Sequence, residues 1–529
     1  MINTKYITRY DLCIRSTGML KIGDEDNDVL VDAYSGEPML PASGVVGAIR
    51  ACLTKFCAET DSASDDEQEA ESNAELRRNM ETSKRMLHSL FGDSAGNKSR
   101  LFAQDGRFHR STDTVKHEDV LMEYRERVRI DSRTGTSFDG GKFHVDALAS
   151  GQEFDLTFVL ESRDEEEKQA HCDLLEQAFT AMNQGAVRFG AQKTNGAGTF
   201  EILSAFKVEY NLHDESDMEK YLLDAGGVSA TSNQQDGSKS SGNTRSTSND
   251  VVAHKRGKNI LPQLQAGSVH SHAAIFTAEV RTVTPLMVGG VDVHQSDEAD
   301  KQSVQNAHKE YIVPASSFKG VLRAQCEKIA EYLNLPAFFT EEIFGREGKG
   351  ALDGKQNGAA GILFAEDVIL YGAKSKVIYN RIALDKFTGG VRLGAKFDMK
   401  PVEGKMKIRF SMVDNSDNRE AHIGLVLLAL KDILEERVSL GGSNNVGYGR
   451  VRAREIHLED EDHEIVVPLN AGRHPKAAGK INRDDKQRTT GETASTAQEV
   501  KPVVETADIR RYLDALLRLS RENRGDHNE

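Results

Sequence analysis

The sequence predicts an α+β protein made of two tandem ferredoxin-like (RRM-like) domains. Three observations carry this expectation. The same landmarks occur twice, in the same order, in blocks of nearly equal size at 1–225 and 262–470, which marks a tandem duplication. Each block opens with an alternating strand and a Gly-bearing loop running into a helix: KYITRYDLCIRS before GEPMLPASGVVGAIRACL, and AAIFTAEVRTVT before KEYIVPASSFKGVLRAQC. Each block also closes with an apolar helix, a Gly-rich loop and a strand. Strand, helix, strand pair, helix and strand, with the helices on one face of an antiparallel sheet, is βαββαβ topology with insertions.

The shared landmarks run in order. Pro-Ala-Ser stands at 41–43 and 314–316, where a loop enters a helix, and Gly47 and Arg50 answer Gly320 and Arg323. RLFAQD (100–105) and GILFAED (361–367) follow. RVRIDSRTGTSFDGGKF (127–143) and RIALDKFTGGVRLGAKF (381–397) then share Arg, Asp, Thr-Gly and a final Lys-Phe. The helices CDLLEQAFTAMNQG (172–185) and GLVLLALKDILEE (424–436) precede the loops FGAQKTNGAGTFEI (189–202) and LGGSNNVGYGRVR (440–452). Between the blocks, Ser, Gly and Asn dominate, so 226–261 reads as a flexible linker. A second polar stretch, 471–505, reads as disordered. The tail 506–529 carries a helix whose stripe of Ile509, Leu513, Leu516 and Leu517 is expected to dock on another protein.

At 529 residues the chain has room for two to four domains, and its 38% hydrophobic and 29% charged residues are ordinary for globular protein. No apolar run approaches the ~20 residues of a membrane span, and the N-terminus does not read as a signal peptide. Cys13, Cys52, Cys57, Cys172 and Cys326 are odd in number and form no CxxC pair. A disulfide framework or zinc ribbon is therefore not expected, and a cytoplasmic location is. The net charge of −15 argues against nucleic acid until it is partitioned. An acidic insert at about 59–79 and the run RDEEEK at 163–168 hold much of it, as solvated loops or helix faces. Basic, Gly-rich stretches such as 376–397 leave local room for phosphate.

Pro suits a helix start, and Ser43 or Ser316 leaves the first N–H groups open to an anion, with Lys319 adding charge in the second block. The Gly loops are the other candidate phosphate cradle, because glycine permits positive φ and close backbone approach. Lys193, Asn444 and Asn445 are placed there to bond an RNA strand. His109, His117, His144 and His294 are scattered and read as surface or RNA-contacting residues, since no Cys or His lies at zinc spacing.

These motifs together (GEPMLPAS, EYIVPASSFKG, LFAxD, the Arg…Asp…Thr-Gly stretch and GGSNNVGYGRVR) resemble the RAMP superfamily of CRISPR-associated proteins. The likeness is nearest to the backbone subunits of type III effector complexes. It spans both blocks, so the chain looks like two fused backbone units. The resemblance implies a modified RRM fold, filament formation along a guide CRISPR RNA, and a β-hairpin thumb between guide and target RNA. It also implies other type III effector subunits as partners, and target cleavage with Mg²⁺ or another divalent cation. The family's catalytic Asp lies on the loop before the first helix, which carries over to Asp26 in EDNDVLVDAYSGEPMLPAS. There a carboxylate would hold metal beside the scissile phosphate. In the second block Asp300 is nearest the equivalent place, with Asp297 close by, and the Thr-Gly step of the family pattern is missing.

The resemblance further implies thumbs at about 106–126 and 368–380. Residues that grip the RNA would be Ser43, Arg50, Arg127, Arg133 and Lys193 in the first block. In the second they would be Ser316, Ser317, Lys319, Arg323, Arg381, Lys386, Asn444, Asn445 and Arg450. Asp131 and Asp385 would steer the neighbouring Arg. Two other functions compete: the same RNA scaffold without cleavage, and a RAMP nuclease that processes precursor guide RNA with a His base. The absence of a repeated His counts against the latter.

Overall fold

The computed structural model describes residues 5–23, 29–93 except 60–83, 96–109, 120–131, 134–224, 257–267, 273–289, 301–346, 348, 358–374, 378–460, 463–469 and 506–524. Asp26, Asp297, Asp300 and Arg133 lie outside the described residues, as do nearly all of the acidic insert, residues 226–256 of the expected linker and the stretch 471–505. The chain divides into two compact units, Met1–His272 with Asn306–Lys309, and Ala273–Gln305 with Glu310–Glu529.

In the first unit, strand β1 (Tyr6–Ser16) leads to helix α1 (Ala42–Glu59) and the short strands β2 (Leu101–Ala103) and β3 (Gly106–Phe108). A hairpin of β4 (Met122–Ile130) and β5 (Ser137–Leu148) precedes β6 (Glu153–Ser162), helix α2 (Glu165–Asn183) and β7 (Phe200–Asn211). β1 pairs antiparallel with β6 on one side and β7 on the other, and β2 and β3 pair with β6. The order fourth–first–third–second is that of a ferredoxin-like sheet, with the hairpin inserted before the third strand. Alternation in β1 points Tyr10, Leu12 and Ile14 into a core with Phe154, Phe158, Leu175 and Phe179. The acidic run 163–168 is the start of α2: Asp164 accepts the Glu167 N–H at 2.8 Å, and Glu165–Glu167 sit at the positive end of the helix.

Residues 258–266, expected at the end of the linker and the opening of the second domain, belong to the first unit instead. Lys258 and Asn259 extend the β7 edge, and Ile260 and Leu264, ahead of and within helix α3 (Leu261–Ala266), are buried in the first core. Two large aliphatic side chains sufficed to anchor a stretch whose neighbours read as linker.

The second unit repeats the plan: β8 (Ala273–Thr282), α4 (Ala315–Tyr332), α5 (Ala337–Phe344), β9 (Leu363–Ala365), β10 (Val368–Lys374), a hairpin of β11 (Tyr379–Leu384) and β12 (Val391–Lys400), β13 (Glu403–Val413), α6 (Arg419–Leu434), β14 (Val451–Ala453) and β15 (Glu455–Asp460). Here β8 lies between β13 and the pair β14 and β15, while β9 and β10 pair with β13. α6 is buried on nearly every side. That follows from helix α7 (Thr506–Arg524), which packs on α6 rather than awaiting another protein, a correction to the sequence expectation. Tyr512 and Leu516 are buried in the second core. Gly424 permits the approach, since a Cβ there would fall 2.5 Å from the Tyr512 carbonyl oxygen. No helix among the described residues is long and apolar enough to cross a membrane.

Candidate nucleic-acid interface

The two Gly loops are the same structure written with different side chains. Positive φ recurs at matched places: Gly190 (+74°) and Gly441 (+77°), Gln192 (+57°) and Ser443 (+61°), Gly196 (+86°) and Gly447 (+87°), Gly198 (+77°) and Gly449 (+81°). Glycine is obligatory at the last pair, where a Cβ would lie 1.9 Å from the Phe189 oxygen or 2.0 Å from the Leu440 oxygen. Each loop is tied to the segment after its unit's first strand. Ala191 N–H donates to Lys21 O and Gly198 N–H to Met19 O, at 2.7 and 2.9 Å; Gly442 N–H donates to Met287 O and Gly449 N–H to Pro285 O, at 2.7 and 2.8 Å.

That same segment roots the loop of the candidate acids. Gly23 bridges Val29, and Gly289 bridges Ser303, so five residues leave the first stem and thirteen the second. Asp26 and the pair Asp297 and Asp300 fall within those spans. In both units the stem of the acid loop therefore lies on the segment that holds the Gly loop.

Lys193 is half-buried at the equivalent of Asn444. Burial, together with the Lys55 charge, pulls its amine below the ordinary lysine range. Two cations held this close gain from an anion between them. Asn444 and Asn445 are exposed at the tip of the second loop, and Arg450 is exposed just beyond it.

The repeated Arg…Asp…Thr-Gly stretch is the hairpin itself, not a sequel to it. Arg127 pairs with Phe143 across β4 and β5, and Arg381 pairs with Phe397 across β11 and β12. Asp131 and Asp385 build the turns. Asp131 Oδ1 accepts the Thr134 N–H at 3.1 Å, and Asp385 Oδ1 accepts the N–H groups of Phe387 and Thr388 at 3.0 and 2.9 Å. The expected thumb spans 106–126 and 368–380 are thus displaced: 106–108 and 368–374 are sheet strands. Apolar side chains stand out in solvent on both hairpins, among them Ile130, Phe138, Phe387 and Leu393. Lys386 is at the second tip, its Nζ 4.9 Å from the Phe387 ring centre. The second hairpin is rooted on its Gly loop: the Arg381 guanidinium lies 5.0 Å over the Tyr448 ring, and Tyr379 meets Tyr448 edge-on.

The Pro-Ala-Ser helices differ from the expected anion sites. The Asp of LFAxD occupies the helix start, Asp105 accepting Ala42 N–H at 2.7 Å and Asp367 accepting Ala315 N–H at 2.8 Å. A carboxylate there satisfies the donor and repels phosphate. Ser43 is exposed and Ser316 and Ser317 are half-buried beside these caps, while Lys319 is buried with Nζ donating to Leu363 O at 3.1 Å. Arg50 is exposed two turns along α1, 5.9 Å from the Phe91 ring centre, and Arg323 is held by Glu327 and the Gly345 carbonyl. The sequence missed this capping role, although the repeat of Asp105 and Asp367 was its visible signal.

Compared with family models, residues 9–201 and 279–452 match the model described as the RAMP superfamily, one match in each unit. Among curated proteins, none matches.

Proposed function

The chain belongs to the RAMP superfamily, CRISPR-associated RNA-binding proteins that work in effector complexes with RNA and other subunits, and from that premise we propose that it is a guide-RNA-binding backbone subunit of a type III complex that cleaves complementary target RNA. The observation that carries the reading is the recurrence, in both units, of an acid-loop stem, a Gly loop and a hairpin around one strand segment. A lattice of repeated RNA contacts calls for repeated contact sites.

The residues divide the work. Gly-loop backbone, with Lys193 and Lys55 in one unit and Asn444 and Asn445 in the other, holds the RNA backbone. Arg127 and Arg381 add charge at the hairpins. The candidate acids Asp26, Asp297 and Asp300 supply hard oxygen donors suited to Mg²⁺, with Asp26 and Asp300 as its holders. A bound divalent cation would neutralise charge on the scissile phosphate. The chain's part is to hold that phosphate so that the neighbouring 2′-OH lies in line with the leaving oxygen. The thirteen-residue span between Gly289 and Ser303 favours a second reading for that unit, an RNA scaffold without cleavage.

The assembled complex, purified natively, is expected to carry a protected short RNA when extracted and end-labelled. A complex free of nucleic acid would overturn the reading.

A further inference from the structure

From the sequence His109 reads as a surface or RNA-contacting residue; the fold sets it beside Cys13 and Glu153. It follows β3, and its backbone N–H donates to the Glu153 carbonyl at 2.9 Å. Cys13 lies directly across from Asp155 in the ladder of β1 and β6, and Glu153 lies across from Arg15. Cys13 is half-buried on the sheet face opposite Leu12 and Ile14, which enter the core. One ligand atom from each of Cys13, His109 and Glu153 comes within 4.8 Å of the others, the one such trio among the described residues.

We infer that Cys13, His109 and Glu153 form a binding site for one divalent transition-metal ion of the Zn²⁺ class. Thiolate, imidazole and carboxylate are the donor types zinc takes, and a thiolate selects against Mg²⁺ and Ca²⁺. Ligand bonds of about 2.0–2.3 Å need donors roughly 3.5 Å apart. Side-chain adjustments of about an ångström close the trio.

Two contacts already orient the ligands. His109 Nδ1 lies 2.8 Å from Asp155 Oδ2. A proton on Nδ1 donated to that carboxylate leaves the Nε2 lone pair for metal, the usual carboxylate–histidine–metal arrangement. Arg15 holds Glu153 by Oε1, with Nε at 2.9 Å and Nη2 at 2.7 Å, so Oε2 remains to ligate. Water completes a tetrahedron. On binding, the sulfur–metal bond replaces the S–H bond and the proton leaves to solvent. The site is built on β1, β6 and the residue after β3, outside the Gly loop and the acid loop, and it is chemically distinct from the oxygen site proposed for cleavage.

The test is titration of the full chain, stripped with chelator and desalted, with Co²⁺ followed by Zn²⁺. One equivalent of Co²⁺ should give a thiolate-to-cobalt charge-transfer band and tetrahedral visible bands, both removed by Zn²⁺. Cys13→Ser, a near-isosteric change on a half-exposed face, should abolish the charge-transfer band and weaken binding at least tenfold. Asp155→Asn, which acts through His109, should keep the stoichiometry but weaken affinity about 10–100-fold. Far-UV circular dichroism of each stripped variant should match the parent. Binding of less than one equivalent by the parent, or a full charge-transfer band in Cys13→Ser, would overturn the assignment.

Discussion

Asp460 ties three parts of the second unit through one buried carboxylate. It ends β15, accepts from Arg419 of α6, and receives Arg511 at 2.8 Å and the Tyr512 hydroxyl from α7. Burial alone would raise this carboxyl, but the hydrogen bonds from Arg419 and Tyr512, with the charges of Arg419 and Arg511, outweigh it and hold it below the usual range. A depressed folded-state value gives stability that is complete above the unfolded carboxylate value of about 3.9 and is lost as pH falls through the folded value. Asp460→Asn should therefore destabilise the second unit by about 3 kcal/mol at neutral pH. In thermal melts the gap between parent and variant should narrow below about pH 4; a gap independent of pH would contradict the role. None of this was legible in the sequence, because the partners of Asp460 come from distant elements. The same holds for Cys13 and His109, which no spacing rule connects. Lys319 shows the reverse error: beside a helix start it read as a phosphate ligand, whereas packing buries it.

At the scale of elements, the sequence showed the hairpins and Gly loops as repeats but misjudged what some repeated residues do. Thr-Gly after Asp is turn chemistry as much as RNA chemistry, and Asp131 and Asp385 serve the turn. Likewise Asp105 and Asp367 recur because each helix start needs a cap. Arg127 and Arg381 remain as candidate contacts at matched ladder positions. Replacing Arg381 by Ala should weaken RNA binding by the complex and lower the slope of log K against log salt by about one. Fluorescence anisotropy of a labelled RNA across a salt series measures both, and an unchanged slope would remove Arg381 from the phosphate contacts.

For the whole molecule, duplication made the two-unit α+β plan readable, since five landmarks in one order constrain topology more than any single propensity does. What stayed hidden was where each core ends. Ile260 and Leu264 extend the first, and α7 completes the second. Of the apolar stripe 509–517, Leu516 is buried while Leu517 is exposed and Tyr512 takes the inner place, and an amphipathic helix does not declare its partner. Leu516→Ala should cost about 2–5 kcal/mol in urea unfolding of the second unit itself, with or without other subunits. Stability unchanged in the isolated chain, with loss only in assembly, would restore the external docking surface.

The central claim, that the repeated acid loops serve RNA cleavage on a duplicated RNA-binding frame, meets its most direct test in the assembled complex. Matched end-labelled target RNA is incubated with divalent cation or with chelator, and the products are resolved on a sequencing gel for the parent, Asp26→Ala and Asp300→Ala. The account predicts cation-dependent products, loss of one cut in Asp26→Ala, and target binding nearly unchanged, because binding is spread over many contacts while the cut depends on one carboxylate. Any second cut should lie at a fixed spacing from the first, whatever the target sequence, and should be removed by Asp300→Ala. An Asp26→Ala complex that yields every product band of the parent would contradict the catalytic assignment.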